Sequence, residues 1–189
     1  MHRFNLNLRF KMMIILGFYI LGIAGMSLIS YEDLKTTEDK IGILELAYSL
    51  NNIILEARRY EKNYLLYNEN EAFQENKRYL AQARSTEEAI LDRGGKLKIE
   101  PILKALDRKI LSYQATMEQL SRQVNRNSPE YSNIVDRLRE QGKEMTEKSE
   151  ELVNFERDQI HSILILLKKQ LIAWSSLAVN SPSATVHTP

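Results

Sequence analysis

From Met12 to Ser30 the chain reads "MMIILGFYILGIAGMSLIS", nineteen residues without a charge. At about 1.5 Å per residue, a helix of that length approaches the roughly 30 Å hydrocarbon core of a bilayer. The flank before it, "MHRFNLNLRFK", holds Arg3, Arg9 and Lys11 and no acid, whereas Glu32 and Asp33 follow it directly. By the positive-inside rule, residues 1–11 form a basic cytoplasmic N-terminus, residues 12–30 a transmembrane signal anchor, and everything beyond lies outside the cytoplasm. A cleaved signal peptide is the alternative, with Gly22 and Ala24 as small residues at a cut site. An apolar stretch of this length fits an uncleaved anchor better.

Past residue 30, chain breakers are scarce. The 189 residues include only 7 Gly and 4 Pro, and Asn, Gly, Ser and Pro gather at "YNEN" (67–70), "DRGGK" (92–96) and "NRNSPE" (125–130). These clusters leave four helices, about 31–67, 70–92, 98–125 and 129–170. Ser128 can cap free amides, Pro129 needs no donor in a first turn, and Glu130 suits the positive helix end. Pro101 belongs in the first turn of the third helix, and Gly94 and Gly95 permit a left-handed ending before it.

The third helix places Ile99, Leu103, Leu106, Ile110, Tyr113, Met117, Leu120 and Val124 at alternating spacings of three and four, the seam of a left-handed bundle. The fourth continues through Tyr131, Val135, Leu138, Gly142, Met145, Ser149, Leu152, Glu156, Ile160, Ile163 and Leu167. The second is weaker, with Phe73, Leu80, Ala83 and Ile90 as inward candidates. The expected fold is all-α: an N-terminal transmembrane helix, then an up-down-up-down antiparallel four-helix bundle with long first and last helices. Those two, at roughly 55 and 63 Å, outreach inner helices of roughly 35 and 42 Å and leave a two-helix stalk by the membrane. Two unpartnered apolar faces predict a homodimer through helices 1 and 4.

The end of the chain, residues 168–189, reads as an incomplete second membrane segment and a disordered tail. Lys168, Lys169 and Trp174 suit an interface, yet only Leu171 to Val179 pass before the polar "NSPSATVHTP", too few to cross a bilayer. The sequence reading is a truncated or frameshifted span, with a free-standing protein whose last helix touches the membrane as the alternative.

Charge and composition exclude several functions. With 26 basic and 25 acidic residues and no basic stripe interleaved with aromatics, nothing points to nucleic acid. The absence of cysteine removes disulfides, thiolate metal sites and thiol nucleophiles. His2, His161 and His187 lie far apart, and no Gly-rich phosphate loop or kinase phosphoacceptor motif is present. No catalytic residue, metal or cofactor is expected, and the chain itself is not read as an enzyme.

Two stretches, "EARRYEKNYLL" on the first long helix and "LREQGKEMTEKSEELVNFERDQIHSIL" on the last, resemble the helical bimodular (HBM) and related four-helix-bundle sensor domains of bacterial chemoreceptors and sensor histidine kinases. The resemblance covers about residues 31–167, in a single-module form. It implies an extracytoplasmic sensor domain in the cell inner membrane, serving a two-component system or chemotaxis, without the HAMP and transmitter parts of such receptors. It further implies either a small organic-acid ligand or a protein partner.

Within the first stretch, Arg58 and Lys62 fall on the side of Leu44, Tyr48, Leu55 and Leu65. Counting along antiparallel helices sets Arg58 level with Tyr79, Tyr113, Gln141 and Gly142, within one turn. A helix-interior glycine costs roughly 1 kcal/mol relative to alanine, so Gly142 reads as room made for a neighbour. One reading is a buried network in which Arg58 pairs with Glu61, Glu140 or Glu144 and tyrosine hydroxyls complete the bonding. The other is a ligand-binding site in which Arg58 and Lys62 hold a small carboxylate between Tyr79 and Tyr113, with Gln141 at the same level. A membrane-anchored scaffold that binds no ligand is the functional alternative.

Overall fold

A computed structural model describes residues 8–94, 99–123 and 125–179. Among these residues the protein is all α: α1 is Leu8–Tyr67, α2 Asn70–Gly94, α3 Glu100–Ser121 and α4 Pro129–Val179. The chain divides into two compact units, Met1–Asp39 and Lys40–Pro189. Residues 1–7 of the expected N-terminal segment, with Arg3, the segment 95–98 with Gly95, Val124 and the tail 180–189 lie outside the described residues.

In the first unit, α1 is helical from Leu8 onward. Met13, Ile15, Phe18, Tyr19 and Leu21 are all exposed, so apolar side chains surround this helix on every side. The expected span, Met12 to Ser30, lies partly outside the described side chains, at Met26 and Leu28 to Ser30. Among the described residues, no helix is long and apolar enough to cross a membrane.

In the second unit, cross-helix contacts give the topology. Ala57 and Tyr64 of α1 meet Asn76 and Phe73 of α2, and Lys77 and Arg84 of α2 meet Glu118 and Asp107 of α3. Lys109 and Gln119 of α3 meet Glu144 and Arg137 of α4, while Lys40 and Asn51 of α1 meet Glu156 and Ser149 of α4. In every pair one number rises as the other falls, so these neighbouring helices are antiparallel. α4 continues helical to Val179, past the ending expected near 170.

Local sequence explains the helix ends. Asn68 adopts a positive φ of 57°, a conformation that asparagine tolerates better than most residues, and its amide donates to Tyr64 O over 2.9 Å. Ser128 Oγ accepts from the Tyr131 amide at 3.1 Å as a helix cap, and proline stands in the first turn of α3. Arg126, between α3 and α4, donates to Tyr64 O at 3.2 Å and Asn68 Oδ1 at 2.7 Å, tying one inter-helix turn to the other.

The core is one cluster drawn from all four helices. On α3 the expected seam is buried from Ile99 through Leu120. On α1 the buried face is Ile43, Ala47, Leu50, Ile54, Ala57, Glu61 and Tyr64. This corrects the face expected from Leu44, Tyr48, Leu55 and Leu65, since Tyr48 and Leu55 are each 45% exposed and the two leucines only half-buried. Ala47 and Ala57 carry little hydropathy signal, yet their small side chains allow close packing of α1.

Candidate functional site

Arg58, Glu61, Asn76 and Tyr113 meet where α1, α2 and α3 converge. Glu61, only 1% exposed, sits one helical turn after Arg58, and its Oε2 pairs with Arg58 Nη1. The same oxygen accepts from the hydroxyl of the fully buried Tyr113 at 2.7 Å. Asn76 Nδ2 donates to Ala57 O at 2.7 Å and to Tyr113 Oη at 3.2 Å. The tyrosine thus accepts from α2 and donates to α1, satisfying a buried polar group from two directions.

Burial pushes the Glu61 carboxyl above the usual range, while the Arg58 charge and the Tyr113 hydrogen bond pull it back. Tyr113 is driven well above an ordinary phenol, first by burial and then by the adjacent Glu61 charge. The pairing is therefore a compromise: desolvation opposes the carboxylate, and a cation with two N–H or O–H donors retains it.

Gly142 makes the arrangement possible. A Cβ built on residue 142 would overlap the Arg58 guanidinium, so α4 yields space at this level for the Arg58 side chain. Beyond the guanidinium, α1 and α4 border an open groove of about 410 Å³ lined by Arg58, Arg59, Lys62 and Lys143 with Glu147 and Glu150. Arg59 is paired with Glu56 at 2.6 Å and Lys143 with Glu147 at 3.7 Å. Lys62 is exposed on the rim and adds a small pull on Glu61.

The sequence candidates therefore separate. Arg58 and Lys62 share the groove, and Tyr113 and Gly142 contact the Arg58 network. Tyr79 does not join that layer. Its ring stacks on Tyr60 with centroids 5.5 Å apart, under Arg78 at 4.4 Å, because the true register brings Asn76, one turn earlier, to the Arg58 level. Gln141 faces α3, donating to Ser112 Oγ at 2.7 Å. It lines another groove, with Arg108, Lys109 and Glu144. Glu144 is taken by Lys109 at 2.8 Å, and Glu61 is the partner of Arg58.

Sequence reasoning missed Asn76 as an inward residue. Its signal was positional: Ala72, Asn76, Leu80, Ala83, Glu87 and Ile90 form the inner face of α2, so a seam drawn through Leu80 and Ile90 includes it. Among the described residues, no group of three or more His, Asp or Glu side chains could hold a metal ion. No protein-family model, curated protein or solved structure matches this chain.

Proposed function

We propose that this protein is the sensing bundle of a membrane-anchored signalling receptor, of the kind that serves a histidine kinase or a chemoreceptor, and that the α1–α4 groove takes a small carboxylate. The observation that carries the reading is the double exposure of Arg58. Its side chain lines a groove beside the exposed Lys62, with Arg59 held by Glu56 and Lys143 by Glu147, and it also ends the buried chain through Glu61, Tyr113 and Asn76. A carboxylate drawing Arg58 outward weakens its hold on Glu61, and the three helices joined there repack.

The anchor, residues 12–30, fits the apolar side chains exposed all round the start of α1, since contiguous apolar surface of this kind requires cover. With that orientation the bundle lies in the extracytoplasmic space. A homodimer through α1 and α4 is supported by Ile41 and Tyr48, exposed one heptad apart along α1, while Leu55 further on lines the groove.

A second reading has its own support. The polar layer bonds Arg58, Glu61, Tyr113 and Asn76 to one another, as a structural scaffold requires. Thermal unfolding of the full chain in detergent with acetate, succinate and citrate separates the two. A ligand at 100 times its dissociation constant adds about 2.7 kcal/mol, a midpoint rise of several degrees. In the sensor reading one acid gives that rise and the exposed Lys62→Gln removes it without moving the unliganded midpoint. In the scaffold reading no acid acts, while Arg58→Ala lowers the midpoint sharply.

A further inference from the structure

A second polar position lies on the inner face of α2, at Glu87. This residue is 4% exposed, and its Oε1 is buried without a hydrogen-bond partner. Native structures pair such acceptors, so an unpaired one on a carboxyl that borders a groove marks a place for a donor once the carboxyl turns toward it. The groove, about 180 Å³ between α2 and α3, is lined by Arg84, Glu88, Leu91, Leu103, Lys104 and Asp107 along with Glu87. That volume corresponds to about six liquid waters, or a ligand of about five or six non-hydrogen atoms.

Charge bookkeeping around Glu87 favours a cation. Arg84 Nε is engaged by Asp107 Oδ1 at 3.1 Å, and Lys104 Nζ by Glu100 Oε1 at 2.6 Å. Glu88 on α2 remains as a negative charge of the wall, Asp107 on α3 adds negative field at Glu87, and Glu87 becomes a further negative charge only on giving up its proton. No group of three acids or histidines among the described residues suits a metal ion, and Leu91 and Leu103 supply apolar wall to a carbon chain.

We propose that this groove binds a small primary ammonium ion, its N–H donating to Glu87 and its short hydrocarbon chain lying against Leu91 and Leu103. Burial, with Asp107 adding to it and Arg84 opposing, pushes the Glu87 carboxyl up to about 8, so the free protein holds a proton there at neutral pH. Binding exchanges that proton for the ligand: a carboxylic acid and an alkylammonium become a carboxylate–alkylammonium pair, and one proton goes to solvent. Affinity consequently rises with pH until Glu87 ionises unaided.

The test is calorimetric titration of the full chain in detergent micelles with n-butylammonium chloride, against tetramethylammonium chloride at equal ionic strength. Tetramethylammonium carries the charge but no N–H. The expected result is saturable binding of butylammonium alone, tightening about tenfold per pH unit between pH 6 and 7.5, and lost in the near-isosteric Glu87→Gln. Equal heats from the two cations, unchanged binding by Glu87→Gln, or a wild-type affinity flat over that pH range each overturn the proposal. The last of these needs no variant to fold.

Discussion

Gly142 of α4 and Arg58 of α1 are complementary in shape, the missing side chain of one being the space taken by the guanidinium of the other. Gly142→Ala gains about 1 kcal/mol of intrinsic helix propensity. It also displaces Arg58 and leaves the buried Glu61 with only its tyrosine donor. We expect a net loss of about 2 kcal/mol in urea denaturation, because removing one partner of a largely buried ion pair outweighs propensity. In an Arg58→Ala background the same substitution costs less, with a coupling energy of at least ~1 kcal/mol. Strictly additive effects would show that the two side chains do not compete for space.

Tyr113→Phe keeps the ring and deletes the hydroxyl that donates to Glu61 and accepts from Asn76. Two buried polar groups lose a partner while the packing volume hardly changes. The expected cost is about 1–3 kcal/mol, read from the chemical-denaturation midpoint at constant slope. A loss below a few tenths of a kcal/mol would mean that water replaces the hydroxyl.

Stability should fall as pH rises from about 5 to 8. Burial holds the Glu87 carboxyl up at about 8 in the folded protein, well above an ordinary glutamate. Inside that window the native state keeps a proton that the unfolded chain has released, so the unfolded state binds fewer protons and the slope is negative. One such group contributes at most about 1.4 kcal/mol per pH unit. Glu87→Gln should flatten the profile toward pH 8, and a wild-type midpoint rising from pH 5 to 8 would contradict the assignment.

Ser128→Ala removes the acceptor for the Tyr131 amide and should cost about 1 kcal/mol, as lost helix caps do. Hydrogen exchange gives the local readout: the Tyr131 amide should accelerate more than amides in the middle of α4. Ser128→Asp restores an acceptor and should recover most of the loss.

How far the sequence reveals this architecture depends on what each residue signals. Pro101, Ser128 and Pro129 act through local backbone chemistry, and the helix starts they imply are those observed. The α3 seam was equally readable, since large apolar side chains recur at three and four along it. α1 was harder to read because its core face includes Ala47, Ala57 and Glu61, two small residues and an acid, while Tyr48 and Leu55 carry the hydropathy outward. At the polar layer, Arg58, Tyr113 and Gly142 followed from antiparallel counting. That counting resolves only one turn, and one turn is the difference between Tyr79 and Asn76. Partner choice was beyond it as well, because Glu61 and Glu144 differ in which cation reaches them, Arg58 or Lys109.

Arg126 joins the turn after α3 to the turn after α1 through the carbonyl of Tyr64 and the side chain of Asn68. Under mechanical load this side chain acts as a rivet. A pull separating the α1–α2 hairpin from the α3–α4 hairpin is met at their shared tip by these hydrogen bonds before the apolar seam begins to part. Cutting the rivet with Arg126→Ala should let the hairpins peel from that tip at lower force in single-molecule extension, with the rest of the bundle still folded.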